Sequence, residues 1–165
     1  MASSVNGIIF SKDRTQVLII QRRDVPVWVL PGGCVEENED PEKAVIREIF
    51  EETGLTVNIN RKVGAYTPIN RLTTPTHLFE CEIESGTPRT GTETRNIGFF
   101  PLQDLPRSFF HIHADMLQDA LLKKEEVIQK PLSQVTYWKL FCYFIRHPLR
   151  VTRFLLSKMG FPINS

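Results

Sequence analysis

The sequence predicts an α/β domain followed by a separate helical tail, and three observations carry that prediction. Short β-rich runs are interspersed with two segments whose apolar residues recur at helical spacing. The 165 residues fit one domain with a full core. Acidic residues stop at Glu126, beyond which the chain is basic and aromatic. Residues 1–126 are therefore read as the domain and residues 127–165 as a helical C-terminal extension. The order along the chain is β, β, loop, α, β, β, β, α, then the tail.

Val5–Phe10 and Gln16–Gln21 are β-rich runs joined by the turn-like Ser11-Lys12-Asp13-Arg14. The opening MASSVNGIIFSKDR has no basic start followed by a long apolar run, so it reads as a first strand rather than an export signal. Leu30-Pro31-Gly32-Gly33 makes a tight loop whose bare backbone can approach a ligand or metal. Asp40 can cap a helix and Pro41 can open it. Ala44 to Phe50 continue it with the apolar pairs Val45/Ile49 and Ile46/Phe50, and Gly54 supplies a left-handed stop. Val57–Tyr66 is a further strand. His77–Glu84 alternates, which puts Phe79, Cys81 and Ile83 on a buried face and Glu80, Glu82 and Glu84 in solvent. Ser85–Thr92 reads as a polar hairpin loop and Ile97–Phe100 as the final strand. Ile112, Met116, Leu117, Ala120 and Leu121 then mark a helix from about Ser108 to Glu126.

The first helix carries the chemistry. Glu48, Glu51 and Glu52 stand at i, i+3 and i+4, which brings three carboxylates onto one face with Cβ atoms about 5–6 Å apart. Such neighbours repel, but a hard divalent cation reverses the sign by taking carboxylate oxygens and bridging to substrate phosphates. The plain alternative is a solvated acidic face. Arg47 argues against it, since it points off that face and can pair with Glu39 or Glu51. The bare loop at Gly33 argues the same way.

The whole run Gly33–Leu55, GCVEENEDPEKAVIREIFEETGL, resembles the signature of the Nudix hydrolases. Gly33, Glu39, Arg47, Glu48, Glu51, Glu52 and Gly54 fall at every specified position. The likeness extends over roughly residues 3–125, with its specificity in this run. It implies an α/β/α sandwich with a mixed sheet. It also implies Mg²⁺- or Mn²⁺-dependent hydrolysis of a nucleoside diphosphate linked to another moiety, of ADP-ribose, nucleotide-sugar or NTP type. Metal ligands would come from Gly33, Glu48, Glu51 and Glu52, with Arg47 in the catalytic set. Glu93 lies where many members hold a further acid, as an added ligand or as the base that takes a proton from water; an ordinary loop acid is the alternative. Arg22 and Arg23 resemble the family's strand-end arginines that meet phosphate, a task suited to guanidinium; a solvated pair is the alternative. A non-catalytic nucleotide-binding or regulatory module is the competing class, and a pure binder would not need Arg47, Glu48, Glu51 and Glu52 together.

Substrate markers of the family are not met. Pro68 lies nearer the signature than the proline of ADP-ribose enzymes, and Tyr66 nearer than the tyrosine of dinucleoside-polyphosphate enzymes. VLIIQRRDVPVWVLPGG does not resemble the pattern of coenzyme A hydrolases. Trp28, Tyr66, Phe79 and Phe100 can each stack a base or fill the core.

Cys34, Cys81 and Cys142 form no spaced cluster and leave an odd count, which suits reduced thiols in a cytoplasmic protein. Cys34 reads as a small filler, not a nucleophile. His111 and His113, two residues apart on a helix, point about 200° apart and read as one surface and one core histidine. From Val127 to Ser165, Lys130, Lys139, Arg146, Arg150, Arg153 and Lys158 contribute +6 with no acid, so the preceding residues carry −5 in a chain of net +1. On a helix, Lys139, Arg146, Arg150 and Arg153 fall within roughly 60°, beside an aromatic and aliphatic face that Pro148 should kink. Leu140–Ile145 is far too short for a bilayer, which takes about 20 residues. Three uses of the tail stay open. It can pack on its own domain or a homodimer partner, lie through residues 131–161 in an anionic membrane surface, or touch RNA. No recognised RNA-binding motif accompanies it.

Overall fold

The computed structural model describes residues 3–70 and 73–132. Ten elements follow in order: β1 Ser4–Ile9, β2 Gln16–Arg22, β3 Trp28–Val29, β4 Gly32–Cys34, α1 Pro41–Thr53, β5 Leu55–Pro68, β6 Thr76–Gly86, β7 Thr94–Pro101, α2 His111–Leu121 and β8 Ile128–Leu132. They form a five-stranded sheet ordered β4-β1-β6-β5-β8 and a three-stranded sheet ordered β3-β2-β7. The larger sheet is mixed: β1 and β6 are parallel, as are β5 and β8, while β4 and β6 run antiparallel to β1 and β5 respectively.

Period-two alternation sends successive residues of β1 to opposite helices. Val5 and Ile9 join Val45, Ile49, Phe79 and Cys81 in the cluster under α1, whereas Ile8 joins Val63, Leu78, Met116 and Leu117 in the cluster under α2. Helices therefore cover both sides of the sheets, and the α/β/α sandwich is present as expected. Gly7 faces α1 because a Cβ there would stand 2.5 Å from Ile49 Cδ1.

Three expectations need correction. Glu80 is buried and Ile83 is 41% exposed, the reverse of the alternation reading. The middle of β6 is covered on both faces, whereas the strand is exposed from Glu82 onward, Ile83 included. Glu80 tolerates burial because Arg14 Nη1 donates to it at 2.5 Å and Arg61 Nε at 3.0 Å. Arg61 in turn donates to the carbonyls of Ala120 and Lys124, which fastens the end of α2. Residues 87–93 do not close a hairpin, because β6 and β7 belong to different sheets. Ile128–Leu132 forms a strand on β5 where the helical extension was expected to begin. There Leu132 is buried and Lys130 pairs with the buried Asp119, which also accepts from Tyr66 Oη. The chain thus stays within the domain past residue 126. Cys142 and the basic stripe from Lys139 to Arg153 lie outside the described residues.

The two arginines determine how Glu80 responds to pH. Burial raises the Glu80 pKa, but Arg14 and Arg61 outweigh it and hold the group below its usual value. A folded-state pKa below the unfolded one stabilises the protein above the unfolded pKa and loses that contribution as pH falls. Glu80→Gln should cost about 1–3 kcal/mol at neutral pH, the scale of a charge-assisted hydrogen bond. The deficit should shrink as the solution is acidified below about pH 4.5, the unfolded value. Urea midpoints of both proteins across pH check this, and equal midpoints at pH 7 would mean that the Glu80 charge adds nothing to stability.

Candidate active site

Local sequence builds α1 as its caps suggest. The Asp40 side chain accepts from the Glu42 amide at 2.8 Å, Pro41 occupies the first turn, and Gly54 closes the helix with φ 71°. Ala44, Val45, Ile49 and Thr53 are buried against the sheet, which leaves Arg47, Glu48, Glu51 and Glu52 toward the loops at the helix edge.

Arg47 organises one side of this group. It grips both Glu39 oxygens, at 2.9 and 2.8 Å, and donates to the Cys34 carbonyl at 3.1 Å. It also reaches Glu48 at 3.0 Å and Glu51 at 3.6 Å, so both partners expected from sequence are present. Arg47, followed by the Glu36 amide, draws the Glu39 carboxyl down to about 2. Cys34 itself is exposed, so it is not a buried filler, and it contributes its carbonyl.

The loop before β4 meets the other side. A Cβ on Gly33 would stand 2.5 Å from the Glu48 carboxyl carbon, so the missing side chain is what lets this carboxylate lie on the backbone. Burial raises the Glu48 pKa; Arg47 opposes, and Glu51 and Glu93 add to the rise. Glu52 accepts the Gly32 N–H at 2.7 Å. Burial nevertheless pushes its pKa up to about 8, opposed by that N–H and by Arg22 and reinforced by Glu48 and Glu93. Glu48, Glu51, Glu52, Glu93 and Arg22 thus share one electrostatic neighbourhood.

Glu93 reaches it through the crossover between the sheets. Arg89 N–H donates to Thr53 O at 2.8 Å and Gly91 N–H to Glu52 O at 3.3 Å, so the loop caps the end of α1. Gly91 is required for this approach, since a Cβ would fall 2.2 Å from the Glu51 carbonyl oxygen. Arg23 fastens the loop from the β2 side: its N–H bonds Glu93 O at 2.8 Å, and its guanidinium bonds the Thr92 and Thr94 carbonyls, each at 3.0 Å. Arg23 therefore anchors this loop. Arg22 forms a two-point pair with Asp24 at 2.9 and 2.7 Å while staying within electrostatic reach of Glu52 and Glu93.

Two of the four aromatic candidates are core, as Tyr66 is 4% and Phe79 1% exposed. Trp28 and Phe100 contact each other edge to face and pack against the α2-side cluster. Gly91 and Asp24 escaped the sequence reading. Asp24 directly follows the arginine pair, a signal that was present; nothing local marks Gly91.

Among the described residues no three His, Cys, Asp or Glu side chains are gathered into a ready ligand set. Glu48 is turned to Arg47, Glu52 to the Gly32 amide, and Glu51 is 57% exposed. The donor chemistry nonetheless fits a hard cation. These are carboxylate oxygens in a half-buried place, with less positive charge nearby than negative.

Residues 2–120 match the family model described as NUDIX domain. A MutT-like protein of Streptomyces ambofaciens is 33% identical over 118 residues, 72% of this chain and 75% of its own. An ADP-ribose pyrophosphatase of Methanocaldococcus jannaschii is 35% identical over 124 residues, 72% of each chain. Among solved structures, an ADP-ribose pyrophosphatase from Streptococcus suis superposes with a TM-score of 0.64 at 25% identity, over 79% of this chain and 98% of that one.

The Glu52 shift makes stability depend on pH. A carboxyl whose folded pKa lies above its unfolded value favours the folded state at low pH and progressively disfavours it as pH rises. The protein should therefore lose stability between about pH 4.5 and about 8. Glu52→Gln should flatten that slope and raise the melting temperature at pH 8, by roughly 2–4 °C for each kcal/mol relieved. Thermal melts of both proteins at pH 5, 6.5 and 8 test it, and parallel curves would contradict the raised pKa.

Proposed function

This chain belongs to the Nudix family and is a pyrophosphohydrolase, and from that premise we propose that it cleaves the diphosphate bridge of a nucleoside diphosphate joined to a second moiety, ADP-ribose first among them. ADP-ribose takes that place because the Methanocaldococcus relative and the Streptococcus structure are both named ADP-ribose pyrophosphatases. Nucleotide sugars and NTPs share the same bridge chemistry.

The single observation that carries the reading is that Glu48 lies on the bare backbone of Gly33 and Glu52 accepts the Gly32 amide, with Glu51 and Glu93 within electrostatic reach of Glu48. Mg²⁺ or Mn²⁺ held by Glu48, Glu51 and Glu52, with the Gly33 backbone beside them, would neutralise the bridge and sharpen the attacking water. The residues of the chain supply the rest. Arg47 fixes the direction of Glu48 and binds Glu39, so the acids keep their places as charge builds. Glu93, carried in on a loop that Arg23 and the end of α1 hold, is set to accept the proton of the water or to add a ligand. Arg22 brings positive charge beside Glu52 and Glu93, where a substrate phosphate must come.

Hydrolysis of ADP-ribose, a nucleotide sugar and an NTP, each with Mg²⁺ and with Mn²⁺, tests the proposal. Glu51→Gln and Glu52→Gln should each lower kcat by about 10²–10³, the loss typical of one electrostatic stabiliser, while the protein stays folded. Full rate in either variant at saturating Mg²⁺ would remove the helix acids from the site.

Glu93→Gln separates the two roles of that residue from an ordinary loop acid. A base or outer ligand predicts a lower maximal rate with little change in metal requirement. Single-turnover rates across pH are the measurement, and an unaltered profile would return proton acceptance to the helix carboxylates.

A further inference from the structure

We propose that His113 is a positioning residue for this hydrolysis, because its Nδ1 accepts the Leu30 amide and so fixes the loop whose Gly32 N–H holds Glu52. The inference rests on Glu52 belonging to the catalytic set.

The contact links α2 to the catalytic loop across a long stretch of sequence: Leu30 N–H donates to His113 Nδ1 at 2.9 Å. It is the last of a short series that docks the start of α2 on this segment. Trp28 N–H bonds Ser108 O at 3.1 Å, and Phe110 N–H bonds Trp28 O at 2.9 Å. Between Leu30 and Gly32 only two amides can donate, since Pro31 has none. One goes to His113 and the other to Glu52. Leu30 is 1% exposed, so its N–H has no recourse to water if the imidazole is removed. The loop must then shift to find another acceptor, and Gly32 lies two residues away.

The histidine suits this task chemically. Burial, with Arg22 and His111 nearby, pushes its pKa down to about 3. The ring is neutral at any working pH, its Nδ1 lone pair faces Leu30 and its proton sits on Nε2. A neutral acceptor also adds no negative charge beside the crowded acids. Among the described residues the His113 ring meets the Leu30 amide and the Phe110 ring, so its effect on the acids passes through Leu30, Gly32 and Glu52.

The test compares His113→Leu, which removes the acceptor, with His113→Asn, whose side-chain oxygen falls close to the Nδ1 position. Amide exchange at Leu30 and Gly32 is followed by NMR, alongside kcat and KM for ADP-ribose with Mg²⁺, in the full chain. His113→Leu should accelerate exchange at both amides and lower kcat by about 10- to 100-fold, the scale of a misplaced catalytic group, with KM changed far less. His113→Asn should restore most of both. If His113→Leu does not fold, His113→Gln, which displaces the acceptor, replaces it under the same expectations. Wild-type exchange and kcat in the Leu variant would overturn the proposal, and so would an Asn variant as impaired as Leu. Failure of the functional reading is visible separately, as a wild-type chain that hydrolyses nothing or a Glu52→Gln variant at full rate. The exchange data at Leu30 and Gly32 still decide in that event whether His113 fixes the loop.

Discussion

Like charge crowded onto one helix edge is the constraint from which the rest of the site follows. Glu48 and Glu52 are both partly withdrawn from water; Glu48 raises the cost of ionising Glu52, and Glu51 and Glu93 raise that of Glu48. A helix alone would relieve that strain by turning its acids outward. Here Arg47 prevents it at one end, through Glu39 and the Cys34 carbonyl, and the Gly32 amide prevents it at the other. The arrangement is stable enough to persist and poorly neutralised enough to favour a cation. Natural sites often combine those two properties.

The two-sheet architecture matters because it carries two inter-sheet connections against α1. Residues 30–31 join β3 of the smaller sheet to β4 of the larger, and residues 87–93 pass from β6 in the larger to β7 in the smaller. Both crossings therefore run past α1. Each brings bare backbone to the helix, at Gly33 and at Gly91, where a methyl group would collide with Glu48 or with the Glu51 carbonyl, and Arg89 of the second crossing also lies over the Phe50 ring. Glycine at these points lets charged helix and polar loop lie against each other without an intervening apolar layer.

What was legible in the sequence was local. The α1 helix could be read because its cap, its proline, its glycine stop and its acid spacing all lie within 15 residues, Asp40 to Gly54. β3 and β4 were not legible, since two- and three-residue strands have no periodicity and exist only through their partners on β2 and β1. The failure at Glu80 has the same root. Alternation marks a half-buried strand, but whether a glutamate is covered depends on Arg14 and Arg61, which reach it from 66 and 19 residues away. Arg23 likewise looked like a free cation because its acceptors, the Thr92 and Thr94 carbonyls, are some 70 residues off. β8 went unread because Gln129-Lys130-Pro131 offers no β pattern of its own. Its register is imposed by Gly64 to Pro68 of β5, and Lys130 is drawn in by Asp119.

The choice of acceptor for Leu30 shows how the second helix answers the charge problem of the first. A carboxylate near the start of α2 would accept the same amide and gain from the positive end of the helix dipole. It would also add a further anion close to Glu52 and Glu93, raising the cost of ionising both. An imidazole in the first turn is biased toward its neutral form by that same dipole, and burial and Arg22 bias it further. The neutral ring therefore gives Leu30 its acceptor while leaving the charge balance around Glu52 to the helix acids, Glu93 and Arg22. One half-buried ring in the first turn of α2 in this way serves as a fixed point for the loop, and so bears on the chemistry from outside it.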